Sequence, residues 1–239
     1  MAGTGRWLDW PRLSNARDLG GLPAGAGATR PGALVRSDSL NVLTEAGRDA
    51  LEAHGIATVI DLRAPSECRA RPSLEHARAA YRNLPIVEDS ELAYVLERLD
   101  VEGNNYLWQL EHRPDRVAAV VTAVATAPAG GVLVHCAAGK DRTGLIVALA
   151  LGVAGVDREA IVADYALSEV GLAPVLELLL AAEADPTRRE RLRRRHRTPP
   201  EELLDVLAEL DRRYGGVEGY LRAAGLADDA RDRLRARLV

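Results

Sequence analysis

The sequence from residue 131 to residue 144 reads Gly-Val-Leu-Val-His-Cys-Ala-Ala-Gly-Lys-Asp-Arg-Thr-Gly. Its first part, residues 131–136, contains a continuous apolar run, which predicts a buried β-strand. An apolar helix is predicted to begin near Arg142 and to end at about Gly155. The loop between them points several backbone N–H groups and the positive end of the helix dipole at one place. Such a place binds a phosphate dianion.

Two reactive side chains stand at the ends of this loop. Cys136 follows the predicted strand and Arg142 opens the predicted helix, so the residues between them wrap a space the size of a phosphate group. The guanidinium of Arg142 can bind two phosphate oxygens at once, and Gly139 permits the backbone turn that the loop requires. The same positive field favours the thiolate form of Cys136, the nucleophile for in-line attack on phosphorus. The loop thus predicts phosphoryl transfer through a phosphocysteine, with amide groups stabilising the equatorial oxygens.

The predicted site covers the whole loop and its neighbours. The candidate catalytic residues are Cys136, Arg142 and Asp141. We expect His135 to orient the loop and Thr143 to donate its hydroxyl to the thiolate as it leaves. The residues predicted to bind phosphate are Ala137, Ala138, Gly139, Lys140, Asp141 and Arg142.

Two charged loop residues each have two interpretations. Lys140 is the one Lys among 31 basic side chains, which favours a phosphate-facing role over a solvated loop position. Asp141 is either the general acid that protonates the leaving oxygen or an acidic residue that stabilises the start of a helix. The sequence does not decide between the two roles of Asp141.

Other functions are compatible with parts of this pattern. A buried strand that ends in a structural Cys before an N-capped helix would explain the local order without any chemistry. A rhodanese-like sulfurtransferase also uses a cysteine in an amide-lined loop, although Lys140 and Asp141 before Arg142 fit phosphate better than a smaller anion. A catalytically weak module that binds phosphorylated ligands is the second class, and the intact Cys136 and Arg142 count against it.

Outward from the loop, the chain alternates strands and helices. Residues 33–37, 56–62 and 81–87 are short β-branched or apolar runs that are typical of strands. Residues 44–54 have a Thr N-cap, apolar residues at helical spacing and a Gly stop. This order predicts an α/β fold with a mostly parallel central sheet flanked by helices.

The C-terminal half reads as almost entirely helical. Breaks are predicted at Pro174 and at residues 185–186, 199–200 and 215–216. Because no linker or repeat interrupts the pattern, we interpret residues 1–239 as one domain.

Composition narrows the classes of function. The 239 residues carry a formal net charge of −4, which argues against nucleic acid as a partner. No uncharged apolar run approaches the roughly 20 residues of a membrane span, so stable membrane insertion is not expected. Five scattered histidines and two distant cysteines, Cys68 and Cys136, give no metal-ligand spacing and no expected disulfide. We therefore expect no metal or other cofactor and a cytoplasmic location, with secretion by a signal-less route left open.

The loop resembles that of the bacterial tyrosine/serine protein phosphatases, and the whole chain resembles the mycobacterial protein tyrosine phosphatase B group. Further landmarks occur in the same order along nearly the full chain. They are residues 15–21 (Asn-Ala-Arg-Asp-Leu-Gly-Gly), 34–37 (Leu-Val-Arg-Ser), 61–63 (Asp-Leu-Arg) with Glu67, 161–165 (Ile-Val-Ala-Asp-Tyr) and 219–226 (Gly-Tyr-Leu-Arg-Ala-Ala-Gly-Leu).

This resemblance implies a protein-tyrosine-phosphatase-like fold and activity on phosphotyrosine, with tolerance of phosphoserine, phosphothreonine and phosphoinositides. The implied partners are phosphorylated proteins or phosphoinositides, with inorganic phosphate as product. Asp141 matches the proposed loop acid of the group and Asp61 matches a second acid, although an Asp at a strand end also caps turns. The resemblance also implies a helical lid within residues 88–110 and 165–215, but residues 88–103 look short for it.

Overall fold

A five-stranded sheet, mainly parallel, forms the centre of the protein in this computed structural model, which describes residues 6–73, 78–102 and 106–239. The strand order is β1-β4-β7-β5-β6; β4, β7, β5 and β6 run parallel, and β1 pairs antiparallel with β4 at one edge. A separate hairpin joins β2 to β3. The strands are β1 (Arg17–Asp18), β2 (Pro23–Ala24), β3 (Gly27–Ala28), β4 (Leu34–Ser37), β5 (Ile56–Asp61), β6 (Ala80–Asn83) and β7 (Gly131–His135).

Helices cover both faces of this sheet and make up the C-terminal half. They are α1 (Glu45–Ala53), α2 (Pro65–Ala70), α3 (Asp89–Glu102), α4 (Tyr106–His112), α5 (Pro114–Ala125), α6 (Asp141–Val153), α7 (Arg158–Ala182), α8 (Pro186–His196), α9 (Pro200–Tyr214), α10 (Val217–Ala223) and α11 (Asp228–Leu238). The predicted α/β class, with its parallel sheet and helix-rich second half, is confirmed.

The sheet is buried on both faces because successive strand residues point to opposite sides. In β7, Leu133 packs in a core with Val35, Val59 and Leu51 of α1, while its neighbours Val132 and Val134 face the larger core under α5 and α6. This double burial is why β7 reads as a continuous apolar run rather than an alternating one.

Most predicted elements are present with small shifts of their ends. The predicted strand 81–87 is shorter, because the backbone N–H of Leu84 still bonds to Asp61 but the next residue, Pro85, has no N–H to continue the ladder. The Thr44 side chain caps α1 as predicted, by accepting a hydrogen bond from the backbone N–H of Gly47 at 3.2 Å.

The break predicted at Pro174 is wrong. α7 continues through this residue to Ala182. The first half of the helix is fixed by burial, around Asp164, Tyr165 and Leu172, and the second half packs against α8. Tertiary contacts therefore outweigh the one backbone hydrogen bond that proline removes.

α7 also has a bearing on the membrane prediction. Within the described part of the chain, it is the one helix long and apolar enough, by length and mean hydropathy, to cross a membrane. Its first half, however, carries the buried Asp164 into the interior and packs against α6 and α9. Of the 18-residue window that meets this criterion, 17% is buried, and Val170, Leu178 and Leu179 of α7 are exposed.

Candidate active site

The loop after β7 forms the floor of a pocket of about 460 Å³. β7 ends at His135, Cys136 follows with 3% of its surface exposed, and α6 begins at Asp141. The strand and helix therefore hold the two ends of the loop, as the sequence predicts. Cys136, Ala137, Ala138, Lys140, Asp141 and Arg142 all line this pocket.

Three scaffold donors turn the loop carbonyl groups outward. The backbone of Ser39 donates to Ala137 at 3.0 Å, Asn15 Nδ2 donates to Ala138 at 2.9 Å, and Arg36 Nη2 donates to Gly139 at 2.7 Å. In a trans peptide, the N–H of the next residue points opposite to the carbonyl. The N–H groups of residues 138–140 therefore face the inside of the loop, where an anion can accept their hydrogen bonds.

Gly139 is required by this geometry. Its φ is +66°, and an added Cβ would lie 2.3 Å from the carbonyl oxygen of Ser37. No other residue fits this approach without moving the neighbouring strand.

A buried ionic network supports the loop from below. Arg36 Nη1 donates to Asp164 Oδ2 at 2.7 Å, and Arg17 Nε donates to Asp164 Oδ1 at 3.2 Å. Ser168 accepts a hydrogen bond from each arginine, and Arg17 also donates to Asn15 Oδ1. Burial raises the pKa of Asp164, but the two guanidinium groups outweigh it and hold that pKa below its usual value. The network fixes the positions of Asn15 and Arg36, which hold the loop.

Arg142 is oriented by a partner on α2. Its Nη1 donates to Glu67 Oε2 at 2.5 Å and its Nη2 donates to Glu67 Oε1 at 2.9 Å. Burial lowers the pKa of Arg142, and the hydrogen bonds to Glu67 more than offset this, so the pKa is raised overall. Glu67 also accepts from the backbone N–H of Ala64 at 2.8 Å. The guanidinium is thus charged and held in one plane beside Cys136.

Asp141 faces the pocket and is held through one oxygen. Its Oδ1 accepts a hydrogen bond from the Tyr106 hydroxyl at 2.8 Å and lies 3.2 Å from Lys140 Nζ. Burial and the Asp141 carboxylate raise the pKa of Tyr106 well above its usual value, so that phenol stays protonated and donates. These two contacts hold the Asp141 carboxyl at the pocket, and its role as general acid stays a prediction.

The Lys140 side chain lines the pocket but its ammonium is directed toward α8, and its phosphate-facing role stays a prediction. Its ammonium donates to the backbone carbonyls of Arg195 at 2.6 Å and Arg197 at 3.0 Å, and it pairs with Asp141. An ammonium has three protons, and these three acceptors use them.

Asp61 is placed away from the reacting groups. It is fully buried, does not line the pocket, and accepts hydrogen bonds from the backbone and side chain of Arg63 and from Tyr81. Burial raises the pKa of Asp61, but the hydrogen bonds from Arg63 and the charge of His135 lower it to about 2. The predicted role of Asp61 as a second acid stays a prediction, since no contact of its carboxylate reaches the pocket. The turn-capping alternative describes its contacts.

The two remaining supporting residues lie beside the loop. His135 is fully buried, with Nδ1 3.2 Å from the carbonyl of Cys136, and burial lowers its pKa. Thr143 Oγ1 is buried and, among the described residues, has no hydrogen-bond partner. A buried hydroxyl at the start of α6 without a partner is available for a group that appears during the reaction. The roles predicted for both residues stay predictions.

Apolar side chains form the rest of the pocket. They come from the loop before α3, from α3, from α7 and from α8, and include Val87, Leu92, Val95, Leu172 and Leu192. The segments predicted as a helical lid therefore supply walls, as far as they lie within the described residues; residues 103–105 lie outside them.

Sequence reasoning missed the partners that hold the site. Glu67, Asn15, Arg36 and Asp164 were noted only as landmarks of a resemblance. One signal was available: Arg36 is a charged residue inside the short apolar strand β4, and a buried charge requires a partner. The identity of that partner is not encoded locally.

A buried cysteine at the start of an amide-lined loop, closed by an oriented arginine on an α/β scaffold, defines a cysteine-dependent phosphatase of the tyrosine phosphatase class. A comparison with known protein families supports this class. The model of the tyrosine phosphatase family matches residues 8–239. The chain therefore belongs to the tyrosine phosphatase family and is a protein-tyrosine phosphatase.

Individual relatives cover most of the chain. A tyrosine-protein phosphatase of Nostoc commune is 35% identical over 86% of this chain and 74% of its own length. The triple specificity protein phosphatase PtpB of Mycobacterium tuberculosis is 32% identical over 96% of this chain and 98% of its own. A putative tyrosine-protein phosphatase of Cupriavidus necator is 33% identical over 91% of this chain and 83% of its own length. These similarities support neither the sulfurtransferase nor the binding-module alternative.

Proposed function

We propose that the protein hydrolyses phosphotyrosine in proteins through a phosphocysteine on Cys136, and that it also accepts phosphoserine, phosphothreonine and phosphoinositides. The observation that carries the proposal is the outward capture of three consecutive loop carbonyls, which leaves an inward ring of N–H groups above Cys136. The broader substrate range rests on the similarity to PtpB of Mycobacterium tuberculosis, a triple specificity protein phosphatase.

The first step forms a sulfur–phosphorus bond and breaks the phosphorus–oxygen ester bond. The Cys136 thiolate attacks in line, and Arg142 with the loop amides stabilises the equatorial oxygens. The ester oxygen leaves with a proton from Asp141. The second step breaks the sulfur–phosphorus bond: water attacks phosphorus, gives its proton to the Asp141 carboxylate, and inorganic phosphate leaves. Thr143 then donates its hydroxyl to the released thiolate.

The test separates chemistry from binding. The wild-type protein should release inorganic phosphate from a phosphotyrosyl peptide in the presence of a chelator, and acid quenching should trap phosphate on Cys136. Cys136→Ser should abolish turnover and still bind the peptide, because the amide ring is intact. Trapped phosphate on any other residue, or unchanged turnover in Cys136→Ser, would contradict the proposal.

The substrate range is tested with a panel. The enzyme should release phosphate from phosphotyrosyl, phosphoseryl and phosphothreonyl peptides and from a short-chain phosphoinositide. The Cys136→Ser variant should release phosphate from none of these substrates. Turnover restricted to phosphotyrosine would limit the proposal to that substrate.

We also propose that the protein works in a reducing compartment, the cytoplasm. Its support is that Cys68 and Cys136 are both free thiols, and that phosphoryl transfer requires Cys136 to stay reduced. Fractionation of cells that express the full chain should find it with cytoplasmic markers. Accumulation in the medium would contradict this location.

A further inference from the structure

A second, smaller pocket adjoins the active-site pocket. Its volume is about 260 Å³. The two pockets share Glu67, Arg71 and Ala137, so they lie side by side across the first residue of the loop after Cys136. The smaller pocket is otherwise lined mainly by polar residues, namely Ser39, Asn41 and Arg63.

The charges around the smaller pocket leave one cation in excess. Arg63 is neutralised by Asp61, with Nη2 2.7 Å from Oδ2, and Glu67 is neutralised by Arg142. Arg71 follows α2 and is exposed, and its side chain has no ion-pair partner among the described residues. Its backbone is fixed, because its carbonyl accepts from Arg63 Nη1 at 2.8 Å. The boundary between the pockets therefore carries an uncompensated positive charge on an anchored residue.

The uncharged residues of the pocket fit a small oxyanion. Ser39 supplies a hydroxyl and Asn41 an amide, both on partly exposed side chains. Ser39 is held in place because its backbone N–H donates to the carbonyl of Ala137. A carboxylate can accept hydrogen bonds from an arginine, an amide and a hydroxyl placed together in this way.

We propose that this pocket binds the carboxylate of an acidic residue next to the phosphotyrosine, so that the enzyme selects acidic phosphotyrosyl peptides. The inference rests on the proposed phosphatase function, since the phosphate must occupy the neighbouring loop. Arg71 is then a specificity residue that contacts the substrate outside the reacting centre.

The walls of the larger pocket suit the ring of a phosphotyrosine. Leu92, Val95, Leu96 and Leu172 provide an apolar surface above the loop. A phenyl ring packs on such a surface.

The experiment compares two phosphotyrosyl peptides that differ only in having glutamate or glutamine on both sides of the phosphotyrosine. The wild-type enzyme should prefer the glutamate peptide in kcat/KM by about fivefold at low ionic strength, as expected for one partly exposed ion pair. Added salt should reduce the ratio. Arg71→Gln should bring the ratio to about one, and Arg71→Glu should invert it.

The matched control is Arg222→Gln, an exposed arginine on α10 that lines neither pocket. It should keep the wild-type ratio. An equal rate on both peptides in the wild type, or an unchanged preference in Arg71→Gln, would overturn the proposal. A loss of activity in Arg71→Gln that occurs only with a short-chain phosphoinositide would also overturn the proposal. The pocket would then bind a second phosphate rather than a carboxylate.

Binding measurements distinguish failure of this inference from failure of the proposed function. The Cys136→Ser protein should bind the glutamate peptide about fivefold more tightly than the glutamine peptide by calorimetry, and the double variant with Arg71→Gln should not. Absence of turnover in the wild type would refute the phosphatase proposal. Equal affinities of Cys136→Ser for the two peptides would refute the subsite, whether or not the wild type hydrolyses them.

Discussion

Glu67 binds the guanidinium of Arg142 through both carboxylate oxygens, although the two residues lie 75 positions apart. Burial raises the pKa of Glu67, but the hydrogen bonds from Arg142 lower it overall, so the pair is fully ionised at neutral pH. Arg142 must present its remaining donors to two phosphate oxygens in one plane. The position of α2 against the loop therefore controls the geometry of the reacting centre.

Glu67→Gln should weaken this orientation. We expect kcat/KM on para-nitrophenyl phosphate to fall by about 10- to 100-fold, because a small displacement of a catalytic group has a large effect on rate. Arg142→Lys should lose more, since a point charge cannot replace the planar fork. Steady-state kinetics of both variants check this. Wild-type rates in Glu67→Gln would show that Arg142 is positioned by other contacts.

Asp141→Asn should show a dependence on the leaving group. Phenyl phosphate needs a proton on its departing oxygen, and we expect its kcat to fall by about 100-fold or more. Para-nitrophenyl phosphate leaves as a stable anion, so its kcat should fall much less. Asp61→Asn is the comparison, and its effect should be the same on both substrates. Equal losses on both substrates in Asp141→Asn would favour the role of a helix N-terminal acid.

Lys140→Ala should free the end of α8. The variant loses two hydrogen bonds to the carbonyls of Arg195 and Arg197 and one ion pair. We expect a loss of about 1–3 kcal/mol in the free energy of unfolding and faster amide hydrogen exchange in residues 193–198. Substrates with one phosphate and with several should be affected equally. A selective loss on multiply phosphorylated substrates would support the phosphate-facing role instead.

The pKa of about 2 for Asp61 predicts a pH-dependent contribution to stability. A depressed carboxyl pKa stabilises the folded state above the unfolded pKa of about 3.9, and this contribution disappears as the pH falls toward 2. The shift corresponds to roughly 2–3 kcal/mol. Urea unfolding of wild type and Asp61→Asn should therefore differ at pH 7 and converge toward pH 2. A difference that does not change with pH would contradict the assignment.

The amino-acid sequence by itself determined the local parts of the site. The apolar run of β7, the turn at Gly139 and the positions of Cys136 and Arg142 follow from backbone preference and from covalent spacing over a few residues. The parallel sheet follows from the alternation of strands and helices, because each has its own hydrophobic period. These features need no knowledge of distant contacts.

Only the tertiary structure decided which groups meet the loop from elsewhere in the chain. Lys140 lies in the loop, yet its ammonium binds the end of α8, and Glu67 on α2 is the residue that orients Arg142. The failed break at Pro174 has the same origin, since packing along α7 outweighs a local preference. A charged side chain takes the partner that folding brings within about 3 Å, and sequence spacing contains no information about that distance.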